Sequence, residues 1–138
     1  MPIPTSRNAR LFYRAAKERL EDAELLLDLN RTTAAVYLAG YSVECIIKSL
    51  ILSAVPPSRE GAILAQFRSG QAHDFRWLTR LYQQHSRVRI PQQIAWHFTR
   101  IRNWSTAIRY SPATVPSNEA KQFFNSTTEI INWADGRL

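Results

Sequence analysis

Between Arg76 and Arg109 the chain carries seven arginines and no carboxylate. Arginine forks onto phosphate oxygens and stacks on bases, so such a run is where recognition of an anion would sit. The bias is regional: residues 1–70 have a net charge of +2 and residues 71–138 one of +5, and fifteen of the eighteen cations are Arg. On one continuous helix from Gln92 to Arg109, Arg102 and Arg109 fall about 20° apart. They lie roughly opposite a sector holding Ile94, His97, Ile101, Trp104 and Ile108. One face would then be core, and the other would offer two guanidiniums about 10 Å apart to phosphate. The plainer reading of the same charges is a solvated face, or Arg109 bonding a neighbouring helix. Trp96 and Phe98 lie off the core sector. They could stack bases, but filling a second packing interface, within the bundle or with another subunit, is the expected role.

Other chemistry is thin. His73-Asp74 opens a helix, where Asp74 can cap and His73 reads as a loop residue rather than a metal ligand. The three His are scattered without acidic partners at ligand spacing, and there is one Cys, so neither a metal site nor a cofactor is expected. A glycine-rich phosphate loop, a nucleophile elbow and an HExxH helix are all missing from the sequence. The lone Cys excludes an internal disulfide framework and suits a reducing cytoplasm. A net charge of +7 favours anionic partners.

The elements that must position these residues read as helices. With 138 residues, 45% apolar and 21% charged, the chain is expected to be one folded domain over 1–138. A first amphipathic helix runs from about Thr5 to Leu29, with Leu11, Ala15, Leu20, Ala23 and Leu27 as its stripe. Thr32 and Thr33 are placed to cap a second, AAVYLAGYSVECIIKSLILSA, apolar nearly all round and expected to be the most buried. Glu44 and Lys48 on it stand four apart and form a candidate structural pair. Gly40, mid-helix, costs roughly 1 kcal/mol against Ala unless a close neighbour offsets it. Pro56-Pro57 ends that helix. Arg59–Phe67 forms a short helix, and others span about Asp74–His85, Gln92–Arg109 and Asn118–Ala134. No hairpin is credible and no stretch reaches about 18 uncharged apolar residues, so a membrane span is not expected. The N-terminus lacks the apolar centre of a signal peptide. The class is all-α, an up-and-down bundle of four to five helices.

Four segments occur in an order that resembles the HEPN family: RLEDAELLL (Arg19 to Leu27), AAVYLAGYSVECIIKSLI (Ala34 to Ile51), HDFRWL (His73 to Leu78) and WSTAIRY (Trp104 to Tyr110). The second is the most specific. The resemblance implies a helical bundle that dimerises, RNA or nucleotide as ligand, and a frequent partner in a minimal nucleotidyltransferase, within toxin–antitoxin or stress systems. It also implies that active members are metal-independent RNases. Those carry Arg, four to six residues, then His near the start of a late helix, with His as acid or base and Arg holding phosphorane charge.

Here the matching position is Arg102-Asn103, yet no His follows within reach, and Arg109 cannot serve as a base near pH 7. Arg80-x4-His85 and Arg68-x4-His73 satisfy the bare spacing away from that helix, Arg80/His85 being the better alternative catalytic pair. The leading expectation is therefore a degenerate, non-catalytic HEPN homodimer in the cytoplasm. It would bind RNA, nucleotide or a partner protein through Arg102, Asn103, Arg109 and Tyr110, with no imidazole beside the two arginines. An endoribonuclease toxin, and a scaffold or antitoxin-type partner of a nucleotidyltransferase, are the alternatives. Glu44 is expected to orient Arg109 if the second and fourth helices pack together.

Overall fold

A computed structural model describes residues 4–110 and 113–138, with the side chain of Arg109 outside the described residues. Among them are six α-helices: α1 Arg7–Asp28, α2 Thr32–Ala54, α3 Pro57–Gln66, α4 Phe75–Ser86, α5 Gln92–Arg100 and α6 Ser117–Asp135. Two 3-10 turns, Gly70–His73 and Thr106–Tyr110, complete the order, and no strand occurs among the described residues. The all-α bundle expected from the sequence is what forms.

α2 is the centre of the bundle because its apolar residues are not confined to one stripe. From Ser42 to Leu52 every residue is buried. It packs against α1, α4 and α6, α5 packs on α6, and one core draws on all six helices. By length and hydropathy α2 passes for a membrane span, with a mean hydropathy of 1.5, but 83% of that window is covered by the bundle. Its apolar surface is used up in the core.

The seam between α1 and α2 is made of small residues. Ala9, Ala16 and Ala23 recur every seven positions and have no exposed surface, so the backbones approach closely enough for Ser49 Oγ on α2 to donate to Ala9 O at 2.8 Å. Leu11, expected in the buried stripe, is 56% exposed instead. Ala15, Leu20, Ala23 and Leu27 of that stripe do pack on the core, and the alanine seam marks its closest approach. Ser6 caps α1 through Ala9 N, and Asn30 ends it in the left-handed region at φ 59°, which Asn tolerates better than most residues.

Thr32 and Thr33 do not cap α2. Both hydroxyls are committed to the segment before α6: Thr32 Oγ1 donates to Val115 O at 2.6 Å, and Thr33 Oγ1 donates to Ala113 O and accepts from Val115 N. Asp74 does cap α4, accepting from Arg76 N at 2.8 Å and Trp77 N at 3.4 Å.

Burial has a chemical consequence for the lone cysteine. Cys45 is 1% exposed, and burial, with the Glu44 carboxylate adding to it, pushes its thiol up to about 12. Beside it, the Tyr41 hydroxyl is also raised to about 12, by the Cys45 sulfur first and burial second. Both groups ionise at lower pH in the unfolded chain, so their share of stability is intact below about pH 9 and is lost as pH rises through about 12. Two results are expected: folded protein resists iodoacetamide at pH 8 while urea-unfolded protein is alkylated at Cys45, and thermal stability declines above pH 9. Ready alkylation under native conditions would show that Cys45 is accessible.

Candidate functional site: a cationic cleft with an aromatic floor

The helix expected over Gln92–Arg109 ends at Arg100. Ile101 and Trp104 both turn into the core, at 0% and 7% exposure, and Trp104 docks on α2. The Trp104 indole lies flat over Gly40, where a Cβ would overlap the ring, and its Nε1 donates to Tyr37 O at 3.2 Å. Tertiary burial therefore overrides the helical propensity of this segment. The apolar sector was largely right, since Ile94, Ile101 and Trp104 are buried. The shared face for Arg102 and Arg109 was not, because no single helix carries both.

The break builds a cleft of about 620 Å³ between the turn Gly70–His73, the start of α4, the end of α5 and the segment after it. Its floor is aromatic. Phe75 and Trp104 stack with centroids 5.2 Å apart and planes 15° apart, and Phe98 meets Phe75 edge-on at 6.2 Å. Behind Trp104 the stack continues through Tyr37 to Tyr41. The rim is cationic: Arg76 and Arg102 line the cleft from opposite sides of the chain, both exposed. Among the described residues neither guanidinium forms an ion pair. The lining includes one carboxylate, Asp74, and its Oδ1 is engaged on the α4 N-terminus.

His73 also lines this cleft, which corrects the expectation of arginines without an imidazole nearby. Its Nδ1 lies 2.9 Å from Glu44 Oε1, and Glu44 is 2% exposed. The other Glu44 oxygen accepts from Lys48 Nζ at 2.7 Å. The expected Glu44–Lys48 pair thus exists and reaches further, to a third residue. Lys48 Nζ sits beside the edge-to-face pair of Phe12 and Phe67, 5.7 Å and 5.4 Å from their centroids, so the buried cation has a carboxylate and two aromatic rings as compensation. A carboxylate ion-paired to Lys48 accepts only, so Nδ1 must donate to it. That leaves Nε2 of His73 as the nitrogen available to a ligand.

The other residues singled out from sequence separate. Asn103 lines a different cleft of about 470 Å³ with Val36, Arg100, Phe123 and others, and Trp104 is the wall common to both. Tyr110 is 76% exposed at the end of its 3-10 turn. The Arg109 side chain, and with it any contact to Glu44, lies outside the described residues. Arg80 and His85 share α4, but five residues along a helix is about 140° of rotation, so they do not form one face. The sequence reading has His73 as a loop residue and Arg76 as one of the arginine run, and it places neither of them, nor Phe75, in the site. The usable signal was HDFRW at a capped helix start, which places His73 and Arg76 on either side of the cap. Nothing local shows that Glu44, 29 residues away, meets His73.

Among the described residues no three His, Cys, Asp or Glu side chains converge as metal ligands would. Comparison with curated proteins and with solved structures found no match to this chain. The model of the HEPN domain, in contrast, matches residues 9–137, nearly every element of the bundle including both walls of the cleft. An all-helical chain matched over that length belongs to the HEPN domain family.

Proposed function

We propose that the cleft binds the phosphate of RNA or a nucleotide, with Arg76, Arg102 and His73 as the anion ligands and the buried Phe75–Trp104 stack as the floor that holds them in place. One observation carries this reading: two arginines from distant segments, free of ion pairs among the described residues, converge with an imidazole over stacked aromatic rings. Structural arginines normally find carboxylates, and here the single lining carboxylate is used as a helix cap. The test is salt-dependent binding of single-stranded RNA. Affinity is expected to fall about 10- to 100-fold between 50 and 200 mM salt, and Arg102→Ala should weaken binding and flatten the salt slope by roughly one ion. Arg80→Ala and His85→Ala, outside the cleft, should change neither. A wild-type affinity indifferent to salt would remove the phosphate reading.

A second reading, strand cleavage, is favoured by the Glu44–His73 hydrogen bond. Glu44 fixes the ring so that Nε2 can take the 2′-hydroxyl proton as that oxygen attacks phosphorus. The P–O5′ bond then breaks, the leaving oxygen takes up a proton, and Arg102 offsets the phosphorane charge. Cleavage of RNA in EDTA by wild type, abolished by His73→Ala, would establish this reading over simple binding. The family resemblance also supports, as proposals, a homodimer in the cytoplasm and a minimal nucleotidyltransferase as partner in a toxin–antitoxin or stress system. Co-purification as a 1:1 complex would test the partnership.

A further inference from the structure

The exposed face of α5 carries a second aromatic feature beside the cleft. Trp96 is 53% exposed, and the Arg100 guanidinium lies over its ring with its carbon 4.8 Å from the centroid. The Arg100 Nη2 also donates to Gln122 Oε1 on α6 at 3.1 Å. His97 meets the edge of the same indole at 4.9 Å and is held by Ser126 Oγ, 3.0 Å from its Nδ1. The indole thus carries a cation on its ring and lines a groove of about 540 Å³ between α5 and α6. Amides and hydroxyls from Gln93, Asn125, Ser126 and Thr128 line that groove, with Glu129 its one carboxylate.

Trp96 and Thr99 are three residues apart, hence neighbours on the helix surface, and Thr99 lines the cationic cleft. The shelf and the cleft share no residue, but their edges meet on the exposed side of α5, where Trp96 and Thr99 both face solvent. We infer that Trp96 and Arg100 form a base-stacking shelf that extends the cleft, so that the ligand is a single-stranded RNA spanning both sites rather than a mononucleotide. This rests on the phosphate reading of the cleft. Stacking on an aromatic ring beside a guanidinium is how single strands are held without sequence preference, since every base has a π face. A duplex keeps its bases stacked inside and could not use the shelf.

The residues around the shelf favour RNA over a second copy of this chain. Seven arginines and no carboxylate lie between Arg76 and Arg109. A two-fold contact centred on Trp96 would bring Arg100, the cation that lies over its ring, against its own copy, like charge on like.

The experiment compares fluorescein-labelled nonauridylate and UMP as probes, against wild type, Trp96→Ala, Trp96→Phe and Arg102→Ala. Trp96→Ala is expected to weaken nonauridylate binding by about 5- to 100-fold, with Trp96→Phe retaining most of it and UMP affinity unchanged. Arg102→Ala should weaken both probes. Wild-type nonauridylate affinity in Trp96→Ala, with Arg102→Ala still defective, would overturn the shelf and leave the cleft standing. Loss of a dimer in sedimentation of Trp96→Ala, with RNA affinity intact, would assign the ring to a subunit contact and overturn the shelf equally. Failure of wild type to bind either probe would overturn the cleft reading and the shelf with it.

Discussion

Replacing Gly40 by alanine is expected to destabilise the protein by about 1–3 kcal/mol, toward the upper end, although the same change in an open helix would stabilise it by about 1 kcal/mol. The sign reverses because the space above Gly40 is already filled. A Cβ there would overlap Nε1, Cε2 and Cδ1 of Trp104, and these are atoms of a rigid ring, not the tip of a flexible chain. The ring cannot slide without leaving Tyr37 O, to which it is hydrogen-bonded, or Phe75, on which it is stacked. Thermal unfolding should show a midpoint lower by roughly 4–12 °C. A double-mutant cycle isolates the cause: in a Trp104→Ala background, Gly40→Ala should be neutral or stabilising. An equal cost in both backgrounds would place the damage elsewhere. Because Trp104 walls both clefts, the residual folded Gly40→Ala protein should also bind RNA more weakly.

The second large effect is at Glu44. Glu44→Ala strands the Lys48 ammonium, whose side chain is 7% exposed, beside two phenyl rings with no carboxylate. Breaking a buried pair from one side costs about 3–5 kcal/mol. Removing both charges together is different: Glu44→Leu with Lys48→Met should be neutral or more stable by about 1–4 kcal/mol, because two desolvated ions give way to packed apolar groups. That double variant separates folding from function. It keeps the core and deprives His73 Nδ1 of its acceptor, so a stable protein with weakened RNA binding is the expected result. Equilibrium urea unfolding alongside RNA affinity measures both. A double variant as unstable as the single one would show that the pair, and not its separation, holds the fold.

How far the sequence could be read depended on the range of the interaction. Local periodicity located the helices, and the Pro56-Pro57 stop, the Asp74 cap and the Glu44–Lys48 pair are all short-range signals that survive in the structure. The α5 boundary was not legible. Residues 92–109 keep helical spacing of apolar side chains, yet the helix ends at Arg100, and Trp104 beyond it packs on Gly40 across 64 positions, a contact no local pattern shows. The glycine did flag a close approach, but its partner is an indole and not a helix backbone. The same limit applies to the cleft. Arg102 was visible as an unpaired cation in a basic run, whereas Arg76 and His73 join it through a turn and a cap that no spacing rule connects. Leu11 shows the reverse error: its period fits the stripe, but the alanine seam lets α1 roll closer and leaves the leucine outside.

The most direct measurement follows the side chains of the cleft by NMR in isotope-labelled protein while nonauridylate is added. The Nε2 and Cε1 signals of His73, the guanidinium signals of Arg76 and Arg102 and the indole Nε1–H of Trp104 are expected to shift together, with one saturation curve. If those four stay in place while RNA binds and the movement falls on another surface, such as that around Arg80 and His85 on α4, the cleft is not where this protein meets its ligand.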